Sequence, residues 1–395
     1  MQVNHQFVYF DNATSSFPKP LPVVDAMRKY LINIAVAPHH SQHSLSDKAL
    51  AAVEDATLTI ADFFGAKSEY KHFFFTVNAT YAINQVLLGF LKSGDHVIYS
   101  SLEHNAVFRP IKLLESKGII SSSIWQCSEN GELRTEDLKS LIQPNTKLIM
   151  VTHASNIISK ISDIKSITQI AHENHIKIGV DATQSAGVVD INLQDLNVDF
   201  LFFTGHKFLL GPVGIGGAYI KNHQDVDAVI VGGGGNHAGA IFQPNYLPDK
   251  FEPGTQNAVG IIGLAAGIKY LKAHRPLSQT TSPLMKKLLG NLAQIEEIKL
   301  YPTNIENDFV LQENFSSILS FKVSQSTPAA VTHTLSNKFN IATRAGLHCA
   351  PLAHKSLGSY PNGTIRISLG YHNNDEEVSY FLNSLKKIIL NSSSL

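Results

Sequence analysis

The sequence has few cysteines and no surplus of charge of either sign, and each absence excludes a class of protein. Cys127 and Cys349 are the 2 cysteines among 395 residues, too few for a disulfide framework and typical of a reducing compartment such as the cytoplasm. Lysine plus arginine and aspartate plus glutamate number 32 each. Without a basic excess, neither nucleic acid nor an anionic membrane surface is expected as a partner.

Long apolar runs are also missing. The most continuous one, near residues 258–268, is too short and too rich in glycine to cross a membrane. The first residues carry no basic region followed by an apolar run, the pattern of a secretory signal. The sequence therefore predicts a cytoplasmic protein, and its length is sufficient for two domains.

Apolar, β-rich runs alternate with segments of helix length through the first half of the chain. Strands are expected near residues 96–99, 144–151, 176–180 and 198–203. This alternation predicts an α/β fold, in which crossover helices connect the strands of a parallel or mostly parallel sheet.

Polar residues follow each of these four strands. They are His104, Asn156, Asp181 with Gln184, and the segment Thr204-Gly205-His206-Lys207. Ligands of open α/β sheets bind outside the carboxyl ends of the strands. The sequence therefore predicts that these side chains form one site.

Lys207 is the most informative of these residues, because lysine is an unusual choice at the end of a buried strand. Its ammonium must be desolvated or paired, and either condition changes its pKa. A lysine amine that is neutral part of the time condenses with aldehydes. Thr204 and His206 are suited to a phosphate group beside that aldehyde. The alternative is a lysine whose stem is buried while its charge reaches solvent.

The remaining strand-end residues fit the same chemistry. A carboxylate at Asp181 can keep a pyridine nitrogen protonated, as proteins that use pyridoxal 5'-phosphate require. Asn156 and Gln184 can hydrogen-bond a phenolic oxygen of the ring, and His104 can stack on the ring face. The five residues together therefore predict a pyridoxal phosphate site.

A second segment is suited to the phosphate of such a cofactor. Asn78-Ala79-Thr80 precedes an apolar-periodic helix near residues 81–91. Free backbone N–H groups and the positive end of the helix dipole make such a start an anion site. The alternative is ordinary N-capping by the Asn78 or Thr80 side chain.

The motifs resemble those of the class-V aminotransferases, which are fold-type I enzymes that use pyridoxal phosphate, and most closely the cysteine desulfurase and selenocysteine lyase branch. The matching segments span residues 9–13, 78–80, 103–105, 153–156, 181–184, 204–207, 211–217, 232–235, 252–257, 344–351 and 363–368. The resemblance implies a large α/β domain with a mixed, mostly parallel sheet and a smaller α+β C-terminal domain. We expect an N-terminal arm at residues 1–20 that packs with the small domain, a large domain at 21–262 and a small domain at 263–395.

The resemblance also implies roles for residues that the strand pattern does not reach. Cys349 would attack the sulfur of the substrate, although a buried packing cysteine, as expected for Cys127, is the alternative. Arg366 would clamp the substrate carboxylate, with Arg344 and Asn12 also on the substrate side, although a structural charge is the alternative for Arg344. His104 would relay the proton of the substrate thiol. Thr255 would reach the cofactor phosphate of a neighbouring subunit in a homodimer, although a turn residue after Gly254 is the alternative.

The implied reaction takes sulfur from L-cysteine, or selenium from selenocysteine, and leaves L-alanine. The short segment from Arg344 to Cys349 resembles the group II desulfurases, whose compact cysteine loop passes sulfur to a partner protein or a small thiol. Another class-V reaction, such as that of a β-lyase, an epimerase or an aminotransferase, is the alternative. So is a non-catalytic homologue, but the joint retention of the residues Lys207, Asp181, His104, Cys349 and Arg366 argues against it.

The chain departs from the family pattern at four positions. His40 replaces an arginine, Ser159 and Lys160 replace a glycine and a threonine, and Leu347 replaces a histidine. His39, His40 and His43 lie close together in sequence, but they lack a carboxylate or cysteine companion, so no metal site is expected there.

Overall fold

The computed structural model describes residues 7–38, 43–158, 160–233, 239–274, 276–302 and 316–392. A short strand of the N-terminal arm, β1 (Val8–Tyr9), precedes a large sheet of seven strands. These are β2 (Phe73–Thr76), β3 (His96–Ser100), β4 (Ser121–Trp125), β5 (Thr146–Thr152), β6 (Lys177–Asp181), β7 (Phe200–Thr204) and β8 (Gly216–Ile220).

The large sheet is mixed and mostly parallel, as the sequence predicts. Its strand order is β2-β8-β7-β6-β5-β3-β4. Within the described ranges, β8 runs antiparallel to both of its neighbours, and the remaining pairings are parallel. Because β3, β5, β6 and β7 are parallel neighbours, their carboxyl ends meet at one edge of the sheet.

Helices cover both faces of this sheet. They are α1 (Leu21–Asn33), α2 (Ser44–Phe63), α3 (Ala79–Phe90), α4 (Asn105–Ser116), α5 (Thr135–Leu141), α6 (Ile164–Glu173), α7 (Leu193–Leu196) and α8 (Ala258–Lys272). Successive strand residues point to opposite faces: Leu201 and Phe203 pack with α1, α2, α6 and α8, whereas Phe200 and Phe202 pack with α3 and α4. Within the described part of the chain, no helix is long and apolar enough to cross a membrane.

The C-terminal part of the chain forms a second, smaller unit of α+β type. Its antiparallel sheet has the order β12-β13-β10-β9. The elements are α9 (Leu277–Leu292), β9 (Ile298–Tyr301), β10 (Ile318–Val323), α10 (Pro328–Phe339), β11 (Ile341–Ala342), β12 (Arg344–Gly346), α11 (Pro351–Ser356), β13 (Thr364–Ser368) and α12 (Asp375–Ser392). The predicted combination of a large α/β part and a smaller α+β part is confirmed.

The N-terminal arm packs against this smaller unit. Strand β1 pairs in parallel with β11, and the backbone N–H of Ser368 donates to the carbonyl of Phe10 at 2.8 Å. Val8 and Phe10 are buried in the core of the small unit. Helix α8 crosses the boundary predicted at residue 262, and its buried residues up to Leu271 belong to the core of the large sheet. The division of the chain at residues 20 and 262 therefore stays a prediction, and α8 favours a second boundary nearer residue 272.

Candidate functional site

A cavity of about 200 Å³ lies at the carboxyl ends of β3, β5, β6 and β7. Its wall contains Asn78, Ala79, Thr80, His104, Ala106, Thr152, Asn156, Asp181, Thr183, Gln184, Thr204, His206 and Lys207. Nine of the ten residues predicted to bind a cofactor are in this set. The structure thus brings the four strand ends together as the sequence pattern predicts.

Lys207 follows β7 and projects into this cavity. Burial lowers the pKa of its amine from 10.5 to about 8; Asp181 raises it, whereas Arg366 and Arg344 lower it further. Near neutral pH a useful fraction of the amine is therefore unprotonated, which is the form that attacks a carbonyl carbon.

Asp181 ends β6 and is 4% exposed. Its Oδ1 accepts a hydrogen bond from the backbone N–H of Thr183 at 2.9 Å. Burial raises the pKa of the carboxyl, and the contact with Thr183 and the charge of Lys207 act in the opposite direction. A carboxylate held away from water interacts strongly with any cationic ring nitrogen that reaches it.

His104 is the N-cap residue of α4. Its Nδ1 accepts the backbone N–H of Ala106 at 3.0 Å, so the ring proton of the neutral imidazole lies on Nε2. Burial lowers the pKa of His104 to about 3, and the charges of Lys207 and Arg344 add to this effect. The site therefore contains a neutral imidazole ring with one N–H to donate.

Several buried polar atoms in the cavity wall have no hydrogen-bond partner among the described residues. They are Asn156 Oδ1, Thr183 Oγ1, Gln184 Oε1, Thr204 Oγ1 and His206 Nδ1. Buried polar atoms are almost always paired, so this set fits a ligand with several donors and acceptors. A phosphorylated pyridine aldehyde has such groups, and the residues present therefore fit pyridoxal phosphate.

The start of α3 adds an anion-binding element to the cavity. Asn78 caps the helix by accepting the N–H of Tyr81 at 3.2 Å, so the capping alternative holds for Asn78. Ala79 and Thr80, the first two residues of the helix, lie in the cavity wall. The free N–H groups of a first helical turn can bind an anion. Gly216 allows this arrangement, because a Cβ there would lie 2.7 Å from the Asn78 Cα.

Two arginines of the small unit adjoin the cavity. Arg366 is 1% exposed, and it donates to Asp11 Oδ1 and to the carbonyl of Asn156, each at 3.0 Å. Burial lowers the pKa of Arg366 to about 10, although Asp11 acts to raise it. Arg344 Nη2 lies 3.9 Å from the Sγ atom of Cys349. The Asp11 carboxylate and the Cys349 sulfur thus each lie close to a guanidinium group.

Cys349 is partly exposed on a short loop between β12 and α11. His348 and Cys349 both have positive φ angles, 48° and 60°, a conformation that is costly for residues other than glycine. Hydrogen bonds hold the loop in place: the N–H of Asn105 donates to the Cys349 carbonyl at 2.7 Å, and Asn156 Nδ2 donates to the His348 carbonyl at 2.6 Å. Asn156 therefore connects the cavity directly to the cysteine loop.

Five predicted site residues lie outside the cavity wall, and two of them, Asn12 and Thr255, also take no part in the arginine and cysteine-loop contacts described above. Asn12 is 2% exposed; its amide donates to the Ser368 carbonyl at 3.0 Å and its oxygen accepts the Phe17 N–H at 3.3 Å. These contacts favour a structural role for Asn12, and its role in substrate binding stays a prediction. Thr255 is exposed and outside the cavity wall, so its proposed contact depends on a second subunit.

Sequence reasoning missed Asp11, Thr14 and Glu103. Asp11 and Thr14 contact the arginines, and the motif at residues 9–13 contains the signal for Asp11. Glu103 is buried, and its Oε1 accepts the Ser100 hydroxyl and the Thr152 N–H, each at 2.6 Å, which holds the ends of β3 and β5 together. Burial raises the pKa of Glu103 to about 8.

The described residues include only some of the positions at which the chain departs from the family pattern. His39, His40 and Ser159 lie outside the described residues. His43 caps α2 by accepting the Ser46 N–H at 3.1 Å, and within the described ranges no group of three metal-binding side chains is found. The carbonyl of Leu347 accepts the Ala350 N–H in the turn of the cysteine loop.

The fold and the site agree with comparisons to known proteins. The family model for aminotransferase class-V matches residues 8–381. A probable cysteine desulfurase of Methanothermobacter thermautotrophicus is 32% identical over 391 residues, which cover 96% of this chain and 94% of that protein. The cysteine desulfurase of Yersinia pestis is 32% identical over 401 residues, which cover 98% and 95%.

Solved structures give the same result. The apo structure of the cysteine desulfurase from Thermococcus onnurineus has a TM-score of 0.88 at 32% identity and covers 98% of this chain and 95% of its own. The cysteine desulfurase CsdA from Escherichia coli has a TM-score of 0.86 at 26% identity, with the same shares covered. The chain therefore belongs to the class-V aminotransferase family, in its cysteine desulfurase branch.

Proposed function

We propose that this protein is a pyridoxal phosphate-dependent cysteine desulfurase, which takes sulfur from L-cysteine, releases L-alanine and holds the sulfur on Cys349 as a persulfide. The observation that carries the proposal is the connection through Asn156, which lines the Lys207 cavity and also binds the Cys349 loop. An amine suited to aldehyde chemistry and a thiol thus adjoin one substrate position.

Pyridoxal phosphate supplies an aldehyde carbon and a protonated ring that accepts electrons from the substrate. Lys207 would hold the aldehyde, Asp181 the ring nitrogen, and the first turn of α3 with Thr204 and His206 the phosphate side. Asn156 and Gln184 would lie beside the phenolic oxygen, and the neutral His104 ring over the face. The unpaired polar atoms in the cavity wall support this assignment.

The chain's own residues account for the reaction steps. Arg366 holds the substrate carboxylate, which orients the substrate sulfur toward Cys349. The Lys207 amine takes the proton from the substrate Cα. The Cys349 thiolate then forms an S–S bond with the substrate sulfur while the Cβ–S bond breaks. The electron pair of the broken bond stays with the substrate Cβ, which takes up the proton that the substrate thiol loses. Lys207 returns its proton to Cα, and the product leaves as alanine.

The test is to incubate the protein with pyridoxal phosphate and L-cysteine and to measure alanine and protein persulfide. Equal amounts of the two are expected in the first turnover, with further alanine once a thiol such as dithiothreitol removes the sulfur. L-Selenocysteine in place of L-cysteine decides which of the two is the preferred substrate. Pyruvate or an epimerised amino acid as the product, with no alanine, would contradict the proposal.

We also propose that the enzyme is a homodimer in which Thr255 contacts the cofactor phosphate of the partner subunit. Thr255 is exposed in the single chain. The backbone N–H of its neighbour Gly254 donates to the carbonyl of Gly233 at 2.8 Å. Exposed apolar side chains lie before and after Gly233 in the sequence. These are Ile230, Val231, Ile241 and Phe242, of which Ile241 is 92% exposed. Apolar side chains exposed to this degree favour burial against another chain.

In sedimentation experiments at micromolar concentration, the protein is expected to be a dimer. Thr255→Ala should weaken cofactor binding about tenfold, the value of one hydrogen bond to a charged group, with no loss of dimer. Thr255→Ser retains the hydroxyl and serves as the matched control. A monomer that retains the cofactor with unchanged affinity would contradict the shared site.

The sulfur acceptor and the location of the enzyme belong to the same proposal. The cysteine loop spans only the residues between β12 and α11, and a loop this short supports transfer to a small thiol or a partner protein that approaches the site, as in the group II desulfurases. Both cysteines are free, which supports the prediction of a reducing, cytoplasmic setting.

A further inference from the structure

The two site arginines lie directly opposite each other on neighbouring strands. Arg344 of β12 pairs with Arg366 of β13 in the antiparallel register. Like charges in such a pair repel each other, and the charge of Arg344 contributes to lowering the pKa of Arg366. Among the described residues, one carboxylate forms an ion pair with these arginines: Asp11 lies 3.0 Å from Nη2 of Arg366. The pair therefore has a surplus of positive charge and needs a further contact to hold its geometry.

Thr14 provides that contact. Its Oγ1 accepts Nη1 of Arg344 and Nη2 of Arg366, each at 2.9 Å, and donates to Asp11 Oδ1 at 2.8 Å. A hydroxyl has one proton to donate and two lone pairs to accept with, so these three contacts use its whole capacity. One oxygen atom thus bridges both guanidinium groups and the carboxylate.

Thr14 is itself held in place by the backbone. Its N–H donates to the carbonyl of Asp11 at 3.0 Å, which closes a turn. The N–H of Ala13, inside that turn, donates to Ser368 Oγ at 2.8 Å. Ser368 ends β13, the strand that carries Arg366. The hydroxyl is therefore fixed relative to the strands that carry the arginines.

We propose that Thr14 is a positioning residue, whose hydroxyl aligns the two guanidinium groups so that Arg366 faces the substrate carboxylate and Arg344 faces the Cys349 sulfur. These separate roles of the two arginines rest on the proposed desulfurase function. The geometry supports them, because Arg344 Nη1 contacts Thr14 while its Nη2 lies 3.9 Å from Cys349 Sγ. Without the hydroxyl, the repulsion between the guanidinium groups would separate them.

The first test measures the field at the Cys349 sulfur without turnover. Iodoacetate is anionic and iodoacetamide is neutral, so the ratio of their alkylation rates at Cys349 reports the local positive charge. Thr14→Ala and Thr14→Val should lower this ratio about fivefold, whereas Thr14→Ser, which keeps the hydroxyl, should retain it. Thr334→Ala is the matched control, because its hydroxyl donates to the Ala330 carbonyl within α10.

The second test separates substrate binding from chemistry. Thr14→Ala and Thr14→Val should raise KM for L-cysteine about tenfold with a smaller change in kcat, because a misaligned Arg366 loses hydrogen bonds to the carboxylate. Thr14→Ser should restore KM. An unchanged rate ratio and KM in folded Thr14→Ala would overturn the proposal, as would a serine variant as impaired as the alanine variant. If the wild-type protein made no alanine, the proposed function would fail, but the rate ratio would still test Thr14.

Discussion

Lys207→Ala is expected to abolish alanine production from L-cysteine, with a loss of at least about 10⁴-fold, because one amine both holds the aldehyde and moves the Cα proton. The pKa of the Lys207 amine is lowered to about 8, which favours this chemistry because the neutral amine is the reactive form. The amine is charged and unreactive well below pH 8, and it becomes neutral as the pH rises through 8. The rate at which the cofactor-free protein captures pyridoxal phosphate should therefore increase with pH and level off above about pH 8.

The measurement combines turnover with attachment of the cofactor. Borohydride reduction of the loaded wild-type protein should place the cofactor on the peptide that contains Lys207, and no peptide should carry it in Lys207→Ala. Lys207→Arg retains a positive charge but has no nucleophilic amine and should be equally inactive. Lys272→Ala is the control, because Lys272 forms a surface ion pair with Asp62. Full activity of Lys207→Ala would refute the assignment of the whole site.

The part of the site on the large sheet could be predicted from the sequence because it follows a local rule. Each of β3, β5, β6 and β7 is an apolar run that ends in polar residues, and parallel neighbours place those ends together. The edge strand β4 was missed, since Ser121, Ser122 and Ser123 give it little apolar character. The antiparallel strand β8 was also missed, because it begins with Gly216 and Gly217, and glycine has a low strand propensity.

The contacts on the substrate side could not be predicted in this way, because they join distant parts of the chain. Thr14 and Arg366 are separated by 352 residues, and no local pattern in the arm indicates that its hydroxyl will meet an arginine. The positive φ angles of His348 and Cys349 also depend on contacts with residues that are distant in the sequence. Contacts with Asn105 and Asn156 hold that conformation, whereas the sequence nearby offers glycine only at Gly346. Thr255 needs a second chain, which a single sequence does not describe.

Cys349→Ala is expected to prevent persulfide formation and to lower alanine production from L-cysteine by a factor on the order of 10³. Because the electron pair of the Cβ–S bond stays with the carbon, the sulfur needs a nucleophile to accept it. Cys349 is the thiol placed to do so, beside the positive charge of Arg344. The activity of Cys349→Ala with selenocysteine should fall less than its activity with L-cysteine, because selenium leaves more readily without a nucleophile. The cofactor should still bind, because Cys349 lies outside the cavity wall.

Cys127→Ala is the matched control for this prediction. Cys127 is 8% exposed and packs in an apolar cluster with Ala350 and Ala353, and burial raises the pKa of its thiol. It therefore has little reactive thiolate, and its loss should leave turnover and persulfide formation intact. Mass spectrometry of the wild-type protein after L-cysteine should find the added sulfur on the peptide that contains Cys349. A persulfide on Cys127 and none on Cys349 would require a different path for the sulfur, since the positive charge of Arg344 lies at Cys349.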